Sequence, residues 1–277
     1  MPRPDYFRFT TCEDPAMSDD SAEEIGEETI MAKWAEIAPL IERMTDRIQT
    51  PNEFPVGVGS ALAADDSASN PYQVSHCALA CLTAGVDHLH ALKRLVIDDR
   101  LLHTGADYSL ARGALENFAT AFWVLHPVEP TERITRSLRW MAKNFKDQAK
   151  FEEARGRDAG PSRKAKLAKV QRVAGNAGCG RIPEGYSSTE VLEYAKAHAM
   201  TDPFPEWQIC SGFAHGRPWA TLGMSIQEPQ PAQQGQEAGV VSLRLTSGYD
   251  RLLSVTLPAF HLMTDVLKRF DHLSKAP

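Results

Sequence analysis

Apolar residues along this chain recur every three to four positions over long stretches, the period of a helix face, and alternate only in short ones. Ile30, Trp34, Ile37 and Ile41 predict a helix over about 21–49, bent or interrupted at Pro39. Pro, Gly, Ser and Asp throughout 50–71 predict a long connector. In 71–97, Leu79, Leu82, Val86, Leu89 and Val96 keep helical spacing while the other faces are largely Ala, Cys and Leu. A helix apolar on most sides belongs at the centre of a bundle. A second such helix covers about 107–126. A third, about 130–156, has Ile134, Leu138, Met141 and Phe145 as its core stripe and Pro130 in its first turn. Shorter helices follow over 162–174, 187–199 and 205–214, the second opened by Ser and Thr as a helix start should be. A last helix runs over 248–273. Strand-like material is confined to 220–226 and 239–246, which pair as a hairpin.

The expected fold is therefore all-α: a multi-helix bundle of six to nine helices with a small β-hairpin near 220–246. Residues 1–20 read as a flexible acidic arm, 21–277 as the helical domain, and 157–200 as a small insertion within it. With 277 residues and 43% hydrophobic content, the chain can bury a substantial core. A net charge of -6 does not describe a module that is basic overall, although a local basic patch remains compatible with it. The longest nearly apolar stretch, 77–86, is far short of a membrane span, and the acidic start lacks the pattern of a secretory signal. Five cysteines, an odd number without a paired C-x-x-C, argue against a disulfide scaffold or a zinc knuckle and fit a reducing cytoplasm. Cys77 and Cys81, one turn apart, read as small buried hydrophobes.

Polar residues interrupt the apolar helices in rows. His76, Thr83, Asp87, His90 and Arg94 share one face of 71–97. Arg112 and Glu116 stand one turn apart on 107–126, with Asn117 beside them and Trp123 beyond. On 130–156 the row is Arg133, Arg136, Trp140, Lys143 and Asp147. Converging in the bundle interior, these rows would form one polar pocket; each is equally an ordinary structural bridge or a solvated face. A di-iron bundle site would need Glu-x-x-His pairs, and "DHLH" supplies only a half-motif in Asp87 and His90, so neither metal nor cofactor is expected. Hydrolase and phosphate-loop signatures are missing. The run "RKAKLAKVQR" holds Arg163, Lys164, Lys166, Lys169 and Arg172 with no acid among them, a candidate phosphate contact or a solvated amphipathic helix.

The stretch "SGFAHGRPW" (211–219) has the residues of a helix end and also those of a reactive site. Gly216 would stop the helix, and His215 in its last turn is either a charged cap or a general acid/base. Arg217 could stabilise a phosphate.

The helix "YSLARGALENFATAFWVL" (108–125), the polar-interrupted helix before it and the late "SGFAHG" (211–216) resemble uncharacterised actinobacterial helical proteins. More remotely they are similar to the HEPN superfamily, the higher eukaryotes and prokaryotes nucleotide-binding domains. The resemblance covers roughly 72–150 and 205–270 through short motifs. It implies a helical bundle, homodimerisation and, in active members, RNA cleavage without metal by an Arg-x4–6-His motif near a helix end. His215 matches the motif's histidine. No arginine precedes it at that spacing, so the arginine would be Arg217 or, from another helix, Arg112. The alternatives are a non-catalytic module that binds a small ligand or a protein partner at Asp87, His90, Arg112 and Glu116, and a small-molecule enzyme with its pocket in the bundle.

Overall fold

The computed structural model describes residues 26–231 and 240–276 and the backbone of 6–10. Among the described residues, ten α-helices follow one another: α1 (Glu27–Gln49), α2 (Ala61–Ser69), α3 (Val74–Lys93), α4 (Ala106–Leu125), α5 (Pro130–Ala154), α6 (Gly160–Asn176), α7 (Ser188–His198), α8 (Phe204–Ala214), α9 (Pro218–Met224) and α10 (Tyr249–Ser274). A three-stranded antiparallel sheet, ordered β1 (Tyr6–Thr10), β3 (Val240–Thr246), β2 (Ile226–Pro229), flanks them. The fold is thus an all-α multi-helix bundle carrying a small hairpin.

Three local expectations need correction. The connector 50–71 contains α2, which Ser60 starts by accepting the Ala63 N–H on its hydroxyl at 3.1 Å. Residues 218–224 are a helix, because Pro218 at the first helical position fixes the dihedral that a helix needs, and the strand starts only at Ile226. Pro39 lies inside α1 without interrupting it, so of the two expected outcomes the break does not occur. A further strand, β1, arises within the segment read as an arm and pairs Phe7 with Leu243. The acidic residues 11–25 lie outside the described part of the chain.

The core forms around α4, which packs against α3, α10, α8 and α7. Ala111, Ala114, Leu115, Phe118, Ala119, Ala121, Val124 and Leu125 are completely buried. The small residues let neighbours approach closely. At Gly85 of α3, an added Cβ would stand 2.4 Å from the Phe118 ring, so the glycine makes room for it. Cys77 and Cys81 are buried in this core, and with Cys179 and Cys210 they are free thiols.

The stretch of α4 from Phe118 to Leu125 is buried all round, and its end carries carbonyls with no intrahelical partner. In the loop before the helix, the His103 N–H donates to the buried Asp107 carboxylate at 2.7 Å. At the C-terminus, three arginines supply donors. Arg136 donates to the Trp123 carbonyl at 2.7 Å and Arg269 of α10 to Leu125 at 3.0 Å. Arg133 donates to the carbonyls of Pro127 and Val128 at 3.0 and 2.6 Å. The cations also face the negative end of the helix dipole.

Arg133 is itself buried and forms a two-pronged pair with Asp65 of α2, at 2.6 and 3.1 Å. Burial pushes the Asp65 carboxyl up, and the Arg133 hydrogen bonds and charge offset only part of that rise. The forked geometry identifies it as a carboxylate accepting two N–H groups. Arg133→Met should therefore destabilise the protein by about 3–5 kcal/mol, because it leaves that carboxylate buried alone. Adding Asp65→Asn should restore part of the loss. Urea unfolding of the single and double variants measures both.

His126, just past α4, contacts the Tyr194 hydroxyl through Nδ1 at 2.8 Å. Burial lowers its pKa from the usual 6.5, as do the charges of His198, Arg269 and Arg136, while Asp265 opposes them. The unfolded chain thus binds this proton more readily than the folded one. Stability should hold above pH 6.5 and fall as the pH drops below it. His126→Gln should flatten that part of a pH series of thermal midpoints.

Candidate functional site

Where α8 crosses α4, a strip of the central helix is left only half covered. Arg112, Gly113, Glu116 and Asn117 lie on it. The Arg112 Nε donates to Glu116 Oε1 at 2.9 Å, and the same oxygen accepts Trp207 Nε1–H of α8 at 2.9 Å. Arg112 Nη1 lies 3.2 Å from His215 Nε2. A guanidinium can only donate, so Nε2 is the accepting nitrogen and carries a lone pair. The remaining Arg112 N–H groups meet no protein acceptor among the described residues.

The end of α8 holds His215 in place. The N–H of Gly216 bonds the Phe213 carbonyl at 3.0 Å and that of Arg217 bonds Gly212 at 2.8 Å. Gly216 sits at φ +59°, the left-handed conformation that glycine adopts at no steric cost and that terminates helices in this way. Arg217 then leads into α9 with Pro218 at its first position. His215 and Arg217 are exposed, while Phe213 beneath them is buried with its ring stacked 3.8 Å from that of Tyr108 on α4. Buried aromatic packing therefore fixes an exposed imidazole against an arginine from another helix. Burial pushes the thiol of neighbouring Cys210 well above its ordinary range, so it stays protonated and is no nucleophile.

The other rows do not converge on one interior pocket. Asp87, His76 and Thr83 are on the solvent face of α3. His90 turns instead to Glu42 of α1, 3.3 Å away, where Lys93 also binds that carboxylate at 2.7 Å. Asn117 folds back to donate to Gly113 O at 2.8 Å. Arg133 and Arg136 are committed to the end of α4, Arg136 also lying over the Tyr194 ring at 4.1 Å. Trp140 is half-buried and packs against the core. Lys143 and Asp147 form an exposed one-turn ion pair at 2.9 Å. The rows thus point variously to solvent, to α1 and to the end of α4, so their charges are not pooled in one pocket.

The basic run lies along α6. Arg163 approaches Glu153 of α5 at 3.7 Å and Lys166 donates to Gln148 at 2.8 Å. Lys169 lies over the Tyr72 ring at 5.8 Å, and Lys164 and Arg172 are exposed. Arg163 and Lys164 also line a cleft of about 490 Å³ with Arg181. None of these residues belongs to the Arg112–His215 site. Among the described residues, no group of three His, Cys, Asp or Glu side chains is placed to hold a metal ion. Nor is any helix there long and apolar enough to cross a membrane.

Trp207 and Trp219 were absent from the sequence-derived candidates. Trp207 had a legible signal: Trp207, Ser211 and His215 follow at four-residue steps along one face of α8. Comparison of the chain with protein-family models, curated proteins and solved structures finds no match.

Glu116 is the hinge of this arrangement, since one oxygen orients both Arg112 and Trp207. Glu116→Gln should weaken both bonds and shift the tryptophan emission, with a stability loss of about 1 kcal/mol or less for the partly exposed ion pair. Fluorescence and urea unfolding on the same samples check this.

Proposed function

We propose that the Arg112–His215 site binds RNA and cleaves it by attack of the substrate's own 2′-hydroxyl. The observation that carries the reading is the 3.2 Å approach of an arginine on α4 to an exposed histidine at the end of α8, with the histidine's Nε2 lone pair facing that arginine. In this reading Arg112 turns from His215 to a non-bridging phosphate oxygen, which frees the Nε2 lone pair. His215 Nε2 then takes the proton from the 2′-hydroxyl. The O2′–P bond forms, the P–O5′ bond breaks, and the departing 5′-oxygen takes a proton from water. The products are a 2′,3′-cyclic phosphate and a 5′-hydroxyl. Arg112 stabilises the charge that builds on the phosphorane oxygens, and Arg217, exposed next to His215, contacts an adjoining phosphate. The nucleophile comes from the substrate, so the chemistry calls for no metal.

The reading agrees with the HEPN resemblance in using an arginine and a histidine at a helix end. It differs in taking the arginine from a neighbouring helix instead of from a few residues earlier. Homodimerisation belongs to the same resemblance, whereas a protein partner belongs to the alternative, non-catalytic reading.

The test is cleavage of a labelled mixed RNA pool in the presence of chelator. Wild type should give 2′,3′-cyclic phosphate ends that His215→Ala does not, and Arg112→Ala should slow their formation by about 10²–10³-fold. Equal activity in wild type and His215→Ala would remove the mechanism, as would no activity in either.

A further inference from the structure

The chain from Trp207 to Gln227 contains no acidic residue, although the protein as a whole carries a net charge of -6. Within this stretch stand His215, Arg217 and a tryptophan, Trp219, whose surface is 54% exposed. The two tryptophans of the helical core behave differently: Trp34 is fully buried and Trp123 nearly so.

Trp219 is exposed but firmly seated. A Cβ added at Gly212 would stand 2.8 Å from Trp219 Cζ2 and 3.2 Å from Cε2, so the six-membered ring rests directly on the α8 backbone. The same Cβ would meet Ala220 at 2.5 Å, so any side chain there would unseat α9 and the ring with it. Gly212 is three residues before His215, about one turn along α8, which places the ring within a nucleotide's reach of the imidazole. An aromatic surface beside two cationic side chains and an imidazole is the combination that holds a nucleotide: phosphate on the cations, base on the ring. The basic helix α6 has the charges on its outer face without such an exposed ring among them.

We infer that Trp219 is a stacking platform for an unpaired base next to the phosphate held at Arg112 and His215, and that it restricts the site to single-stranded RNA. The inference rests on the proposed RNA-binding role of that site. A base in a duplex is covered on both faces by its neighbours and is not free to lie on a side-chain ring, so a duplex places its phosphates at the site without the stacking contact.

The test uses the whole chain carrying His215→Ala, so that binding is measured without cleavage. The probe is a fluorescent mixed-sequence RNA, presented single-stranded or annealed to its complement, and followed by anisotropy. His215→Ala should bind the single strand at least tenfold more tightly than the duplex. Adding Trp219→Ala should weaken single-strand binding by about five- to a hundredfold and leave duplex binding unchanged. Adding Trp219→Phe, which keeps a ring, should restore most of the affinity. Thermal midpoints equal to that of the parent show that the seat has not collapsed. Unchanged single-strand affinity in the alanine variant, or equal affinity of the parent for both RNA forms, overturns the role of Trp219 while leaving the Arg112–His215 reading standing. Absence of any RNA binding by both wild type and His215→Ala overturns both.

Discussion

A helix whose last two turns are buried all round must bring partners for its end, and that requirement organises this molecule. The apolar faces of α4 bring α3, α10, α7 and α8 onto it. The carbonyls at its C-terminus then lie where water cannot serve them all. An unpaired buried carbonyl costs about 1–3 kcal/mol, so several together would rival the stability of a whole domain. Arg133, Arg136 and Arg269 remove that cost, and each ties another element in place: Arg133 holds α2 through Asp65, Arg136 underlies Tyr194 of α7, and Arg269 anchors α10.

The same helix creates the candidate site at its other half. Its core positions are filled by alanines and large apolar residues, but the strip with Arg112 and Glu116 meets α8 side-on and stays partly open to water. Tyr108 and Phe213 lock the crossing of the two helices from beneath. The geometry of Arg112 and His215 is therefore inherited from core packing, whereas their chemistry is free to face a ligand. Glu116 holds Arg112 in position and satisfies part of its charge, leaving the outer donors available. His126 and the arginines around it lie at the opposite end of α4.

The helix content was legible because apolar periodicity dominates the sequence: Leu82, Ile134 and Leu138 point where their spacing says they should. What was not legible depended on tertiary partners. Nothing local distinguishes Arg133, buried in a fork with Asp65, from an exposed arginine of a solvated row, because Asp65 sits 68 residues away in a segment that reads as a connector. The segment 220–226 alternates like a strand, yet Pro218 and the turn at Gly216 commit it to a helix. For the site, "SGFAHGR" and the Arg112–Glu116 pair could each be marked from their residues. Their meeting could not, since it depends on how α8 crosses α4. Trp219 went unmarked because its significance lies in Gly212 beneath it, a contact without a sequence signature.

The most direct measurement is the ring nitrogen spectrum of the nine histidines, labelled with ¹⁵N, during titration with a 2′-deoxy dinucleotide, which presents a phosphate but cannot be cleaved. If Arg112 leaves His215 to meet that phosphate, the His215 Nε2 resonance should shift most, while His126, at the far end of α4, stays where it was. An unmoved His215, or shifts confined to other histidines, would contradict a phosphate site at this crossing.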